Sequence, residues 1–167
     1  PTEHGFVSKF RAPGGIGLIW LDGRKTATEP GADPATTAMT LRAATVAPDG
    51  ALSGEHVIDD FVCDCCSTAA VVTSSGTLVA YRDRTAEEIR DVYVSRFTNG
   101  KWSPGKAVAH DGWQIAACPV NGPALAASGS LVAVAWFTAA GDAPRIRAAV
   151  SRDGGQSFSE PVEIASG

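Results

Sequence analysis

Gly76-Thr77-Leu78-Val79-Ala80 and Gly129-Ser130-Leu131-Val132-Ala133 carry one pattern 53 residues apart, a glycine turn released into an apolar run. Further along, Val94-Ser95-Arg96 stands against Val150-Ser151-Arg152, 56 residues apart. The chain therefore repeats with a period a little over fifty and a short loop insertion. A turn glycine followed by a run of five or six apolar, β-branched-rich residues is the pattern of a strand leaving a tight turn.

Outward from these stretches the same punctuation continues. Alternating or short continuous apolar runs at 67–73, 78–83, 91–97 and 106–110 give the middle block four strands, broken at Ser74-Ser75-Gly76 and at Asn99-Gly100. The block before it offers 5–10, 17–22, 40–46 and 56–60, the third run ending at Pro48-Asp49-Gly50. The block after it offers 123–127, 131–137, 146–152 and 161–165. Helical periodicity is nearly absent, so the chain is all-β. Four strands per fifty-residue repeat is the signature of a β-propeller blade. The expected blades span about 4–60, 61–115 and 116–167. Propellers close with about 4 to 8 blades, so the reading is half of a six-bladed propeller, completed by further blades or by a second copy of the chain.

Composition narrows the functions. The 167 residues are 44% hydrophobic and 19% charged, which suits one compact domain. With 14 Lys and Arg against 18 Asp and Glu the net charge is −4 and no basic run occurs, so nucleic acid is not an expected partner. No apolar run approaches the roughly 20 residues that span a bilayer as a helix.

Ser151-Arg152-Asp153-Gly154-Gly155-Gln156-Ser157-Phe158 fits Ser-x-Asp-x-Gly-x-x-aromatic, placed in the turn after a third strand. Here the Asp accepts backbone amides across the turn, Gly permits a left-handed conformation, and the aromatic plugs the blade edge. Thr98-Asn99-Gly100-Lys101-Trp102 is a degenerate copy in the middle block. This motif, with Ser151, Asp153, Gly155 and Phe158 as its structural residues, resembles the Asp-box (BNR repeat) of the sialidase-like propeller superfamily. A longer similarity to the bacterial exo-α-sialidase-like family runs from Gly76 to Arg84 and on through an acidic loop to Arg96. The resemblance implies a protein that recognises glycans or acts as an exo-glycosidase when completed, and the cysteines suit an exported one, periplasmic or extracellular.

Carried over residue by residue, Arg84 falls on the family's arginine, Arg82 stands where Glu is usual, and Glu87 and Glu88 lie near the place of the acid. Asp22-Gly23-Arg24 echoes this in the first block. The catalytic candidates are thus Arg24, Arg82, Arg84, Glu87 and Glu88. Sialidases use a Tyr nucleophile, yet Tyr81 and Tyr93 both fall inside strand patterns, so the nucleophile pair is not recognisable in this chain. Trp113 and Asn121, in the loop around Cys118, are the ligand-binding candidates.

Cys63, Cys65 and Cys66 cluster ahead of the middle block, and Cys118 ahead of the last. Cys118 aligns with Cys65, and His4 projects onto the same place in the first block, so the three blades would present His4, Cys65 and Cys118 at equivalent positions. Three readings stay open: two disulfides in an exported protein, one disulfide with two free thiols, or a site for a thiophilic ion such as copper or zinc. The cluster supports an alternative function, a non-enzymatic exported binding or scaffold module whose Cys/His cluster binds copper or zinc or forms disulfides at the channel mouth.

Overall fold

In the computed structural model, residues 3–26 and 37–167 are described. Their strands form three antiparallel sheets, each a separate block of sequence. The first holds β1 (His4–Ala12), β2 (Gly15–Asp22), β3 (Met39–Val46) and β4 (Leu52–Val62) in that order. The second holds β5 (Ala69–Thr73), β6 (Gly76–Arg82), β7 (Val92–Thr98) and β8 (Lys101–Trp102), with β9 (Lys106–Ala107) also paired to β7. The third holds β10 (Ala124–Ser128), β11 (Leu131–Thr138), β12 (Arg145–Ser151) and β13 (Val162–Ser166). These are the three four-stranded blades that the repeat predicts. No helix among the described residues is long and apolar enough to cross a membrane.

Two elements differ from expectation. β4 is longer than 56–60, because it stays paired to β3 through three register shifts as far as Met39 opposite Val62. The outer strand of the second blade, expected at 106–110, is instead split into β8 and β9. Between them Ser103 takes over the pairing: its amide donates to the Arg96 carbonyl and its own carbonyl accepts from Ser95 Oγ at 2.6 Å. Pro104 has no amide to extend the ladder.

The blades stack through β6. Successive strand residues point to opposite faces, so Val79 and Tyr81 pack with Ile19, Leu21, Leu41 and Val62 of the first blade. Leu78 and Ala80 pack with Val132, Val134 and Trp136 of the third. Every residue from Leu78 to Tyr81 is fully buried, and side chains of the size of Leu78 and Val79 contribute about 1.5–3 kcal/mol each. The first strands of the blades lie side by side, β5 touching both β1 and β10.

This topology sorts the loops. Strands β1, β5 and β10 begin, and β2, β6 and β11 end, at the same face of the stack. That face therefore receives the loops entering blades two and three, 63–68 and 108–123, and the loops after β6 and β11, 83–91 and 139–144.

Candidate functional site

The loop-bearing face concentrates charge and sulfur. In the first blade Asp22 is buried at the end of β2 and takes both Arg24 Nε and Nη2 at 2.8 Å, with Trp20 Nε1 at 2.9 Å. Burial raises its pKa, but the bonds from Arg24 and Trp20 outweigh it and hold the carboxyl at about 2. Glu55 bridges Arg24 and Arg42 at 3.1 and 2.7 Å. Arg24 remains half exposed. His4 sits opposite Asp22 in the β1–β2 register, its Nδ1 3.4 Å from the Asp22 carboxylate.

In the second blade the arginines separate by role. Arg82, on the β6 face turned to the third blade, is 2% exposed. Its guanidinium donates to the carbonyls of Asn121, Phe137 and Arg90 at 2.5–3.0 Å and lies over the Trp113 ring. Arg82 thus ties blade two to blade three. Arg84 and Arg90 converge on Glu88, at 2.7 and 2.6 Å. Hydrogen bonds from Arg84 and then from Arg90 hold the Glu88 carboxyl below its ordinary range, so it is a pinned carboxylate and a poor proton donor. Glu87 is exposed, and its carbonyl accepts from Gln114 Nε2.

Trp113 is buried beneath Arg82 and edge-on to Phe137, and its amide donates to Asp91 Oδ1. That is a packing role in place of an exposed stacking platform. Asn121 is exposed, with its side chain donating to the Pro119 carbonyl. In the turn after β12, Asp153 Oδ1 accepts the amides of Gln156 and Ser157, and Ser151 Oγ accepts that of Gly155. The hydrogen bonds from Ser157 and Ser151 lower the Asp153 pKa. Phe158 is half-buried against the core between blades two and three.

The sulfurs meet where the loops entering blades two and three touch. Gly122 approaches the Ser67 carbonyl so closely that a Cβ would lie 1.9 Å from its oxygen. There Cys65 is disulfide-bonded to Cys118, while Cys63 and Cys66 are free and buried. Of the open readings, the structure thus holds one disulfide with two thiols. Cys63 Sγ lies 3.4 Å from Cys66 Sγ, 3.9 Å from Cys65 Sγ and 3.2 Å from Arg90 Nη1. The contact with Cys66 outweighs burial and, with Arg90, draws the Cys63 thiol down to about 6, while the same contact and burial push Cys66 up. The sulfurs of Cys63, Cys65 and Cys66 lie within 4.8 Å of one another, the spacing of a metal-ligand group, with Cys65 engaged in the bridge. His4 is not part of it: the carboxylate of Asp22 holds the ring within the first blade.

Two carboxylates, Asp83 and Asp91, and the pairing of Tyr81 with Asp59 escaped the sequence reading. Tyr81 Oη donates to Asp59 Oδ2 at 2.7 Å between blades one and two. Burial, then the neighbouring Asp59 charge, pushes the buried Asp83 carboxyl up to about 7. Asp91 receives the amides of Gly112 and Trp113. The available signal was the paired Arg-Asp at 82–83 and 90–91, flanking one loop at the end of β6 and the start of β7.

No protein family and no curated protein matches the sequence. Among solved structures the chain is similar to a GH130 glycoside hydrolase that targets β-1,2 mannosidic linkages in Candida mannan. The TM-score is 0.58 at 14% identity, over 96% of this chain and 49% of that one. It is also similar to the GH32 β-fructofuranosidase of Bombyx mori, with a TM-score of 0.54 at 10% identity, over 99% of this chain and 34% of that one. The likeness is one of fold, and the chain spans about half and a third of those two proteins.

Proposed function

We propose that the chain supplies three blades of an exported, sialidase-like propeller that recognises a glycan, or releases its terminal sugar, once the ring is complete. The observation that carries the reading is the alignment of nearly the whole chain with part of two glycosidase propellers. The end blades agree with it. Leu131, Ile146 and Val150, on the side of blade three turned away from blade two, are 38–46% exposed, as is Ile16 of blade one at 48%. Apolar sheet faces of this kind are what neighbouring blades, or a second copy, would cover. Arg24, half exposed and fixed by Asp22, is the cation best placed for an acidic sugar.

The complete protein should bind or hydrolyse a sialoside in preference to neutral glycosides, with Arg24→Ala weakening the effect. Neither binding nor turnover across a panel of sialosides, mannosides and fructosides would overturn the reading.

One observation favours a second function: three sulfurs lie within 4.8 Å of one another. In that reading the module is a non-enzymatic binder of a soft cation, copper or zinc, on the same face.

A further inference from the structure

The carbohydrate reading uses none of the four cysteines, although they converge on one point. A zinc–thiolate bond is about 2.3 Å, so two sulfurs on one tetrahedral ion stand roughly 3.8 Å apart. The Cys63 to Cys66 and Cys63 to Cys65 separations, 3.4 and 3.9 Å, bracket that edge. Thiolates select zinc and copper(I) over harder ions. Their negative charge is met here by two guanidiniums, Arg90 at 3.2 Å from Cys63 and Arg82 beside Cys66. Yet Cys65 cannot ligate while it is bonded to Cys118.

We propose that the Cys65–Cys118 disulfide and a soft-cation site made by Cys63, Cys65 and Cys66 are alternative states of the same sulfurs. Reduction opens the site, and oxidation closes it by withdrawing Cys65. The proposal rests on the second reading above and adds its regulation. Exposure supports the order of events: Cys63 and Cys66 are buried, Cys65 is half-buried and Cys118 is exposed. A dithiol reductant therefore reaches the bridge at Cys118. It gives the bridge two electrons and two protons, leaving Cys65 and Cys118 as thiols and itself as a disulfide. Each of Cys63, Cys65 and Cys66 then releases its proton, if it still carries one, as its sulfur bonds the cation.

The test loads zinc alone, or copper(I) alone without oxygen, onto the full chain in air-oxidised form and after reduction by dithiothreitol and desalting. Bound metal is read by elemental analysis and free thiols by alkylation and mass. The oxidised chain should retain no cation and the reduced chain one. Cys118→Ser, which frees Cys65 without any reductant, should retain one in either condition, and Cys63→Ser none. If Cys118→Ser has three free thiols and binds nothing, the metal reading falls and the proposal with it. If the oxidised wild-type chain binds as much as the reduced one, the gate alone falls. Should Cys118→Ser fail to fold, the reduced wild-type chain decides both points: no cation there ends the metal reading.

Discussion

The two seams of this molecule are built from different chemistry. Between blades one and two, Ile19, Leu21, Leu41, Val62, Val79 and Tyr81 form an apolar layer with Tyr81 donating to Asp59 at its heart and Thr68 Oγ1 bonding the Phe6 carbonyl and Ser8 Oγ at its edge. Between blades two and three an apolar layer of similar kind is capped on the loop-bearing face by Arg82, the Cys65–Cys118 bridge and the two thiols. The first seam is thus held by burial together with a few hydrogen bonds. The second seam adds a buried guanidinium spanning three carbonyls and a covalent tie on the loop-bearing face, so position there is held more tightly than at the first.

The contrast predicts unequal losses. Arg82→Met keeps much of the volume but leaves the carbonyls of Asn121, Phe137 and Arg90 without their donor. At about 1–3 kcal/mol for each buried acceptor left unpaired, the denaturant midpoint should fall by the equivalent of several kcal/mol. A loss below that of Tyr81→Phe would erase the distinction between the seams.

Next in size is a pH effect at the first seam. The folded chain keeps the Asp83 proton up to about pH 7, whereas the unfolded chain releases it near the ordinary carboxylate pKa of about 3.9. Between those values the folded state binds more protons, so stability declines as pH rises through the window. Asp83→Asn should therefore be more stable than wild type at pH 8, by an amount of the order of a few kcal/mol, and nearly equal to it at pH 4. Unfolding curves at both pH values read this directly, and parallel profiles for the two proteins would place the Asp83 proton elsewhere.

The smallest change sharpens the polar heart of that seam. Tyr81→Phe should cost about 1–2 kcal/mol by leaving Asp59 short of a donor. A Cβ on Gly105 would stand 2.1 Å from the Tyr81 hydroxyl, so Gly105→Ala should be less damaging in the Tyr81→Phe background than in wild type. Additive losses in the double variant would mean that the hydroxyl does not set the space at Gly105.

These residues also show what a sequence can disclose. The blades were legible because Gly76 to Ala80 and Gly129 to Ala133 state a turn and a strand within five residues. The bonds of Ser151 and Asp153 span at most four positions, so their roles were legible too. Arg82 and Trp113 were not, because their partners lie far along the chain: Arg82 reaches carbonyls 39 and 55 residues away. An arginine at a strand end looks like a ligand contact until its neighbours are in place. The cysteine cluster was visible as a cluster, but the choice of Cys118 as the partner of Cys65 depends on the approach of Gly122 to Ser67. The split of β8 from β9 hangs on a local Pro104, yet the next residue, Gly105, answers to the seam, where its missing Cβ leaves space for the Tyr81 hydroxyl.

β6 is shared property: one face belongs to each of the two cores. Stripping blade two from either neighbour would expose Leu78 and Ala80 or Val79 and Tyr81 and leave a half-solvated strand between them. The three repeats are therefore coupled through the middle blade, with β6 at its centre, and unfolding should be one cooperative transition and not a blade-by-blade peeling. The amides of β6 would be the slowest to exchange with solvent.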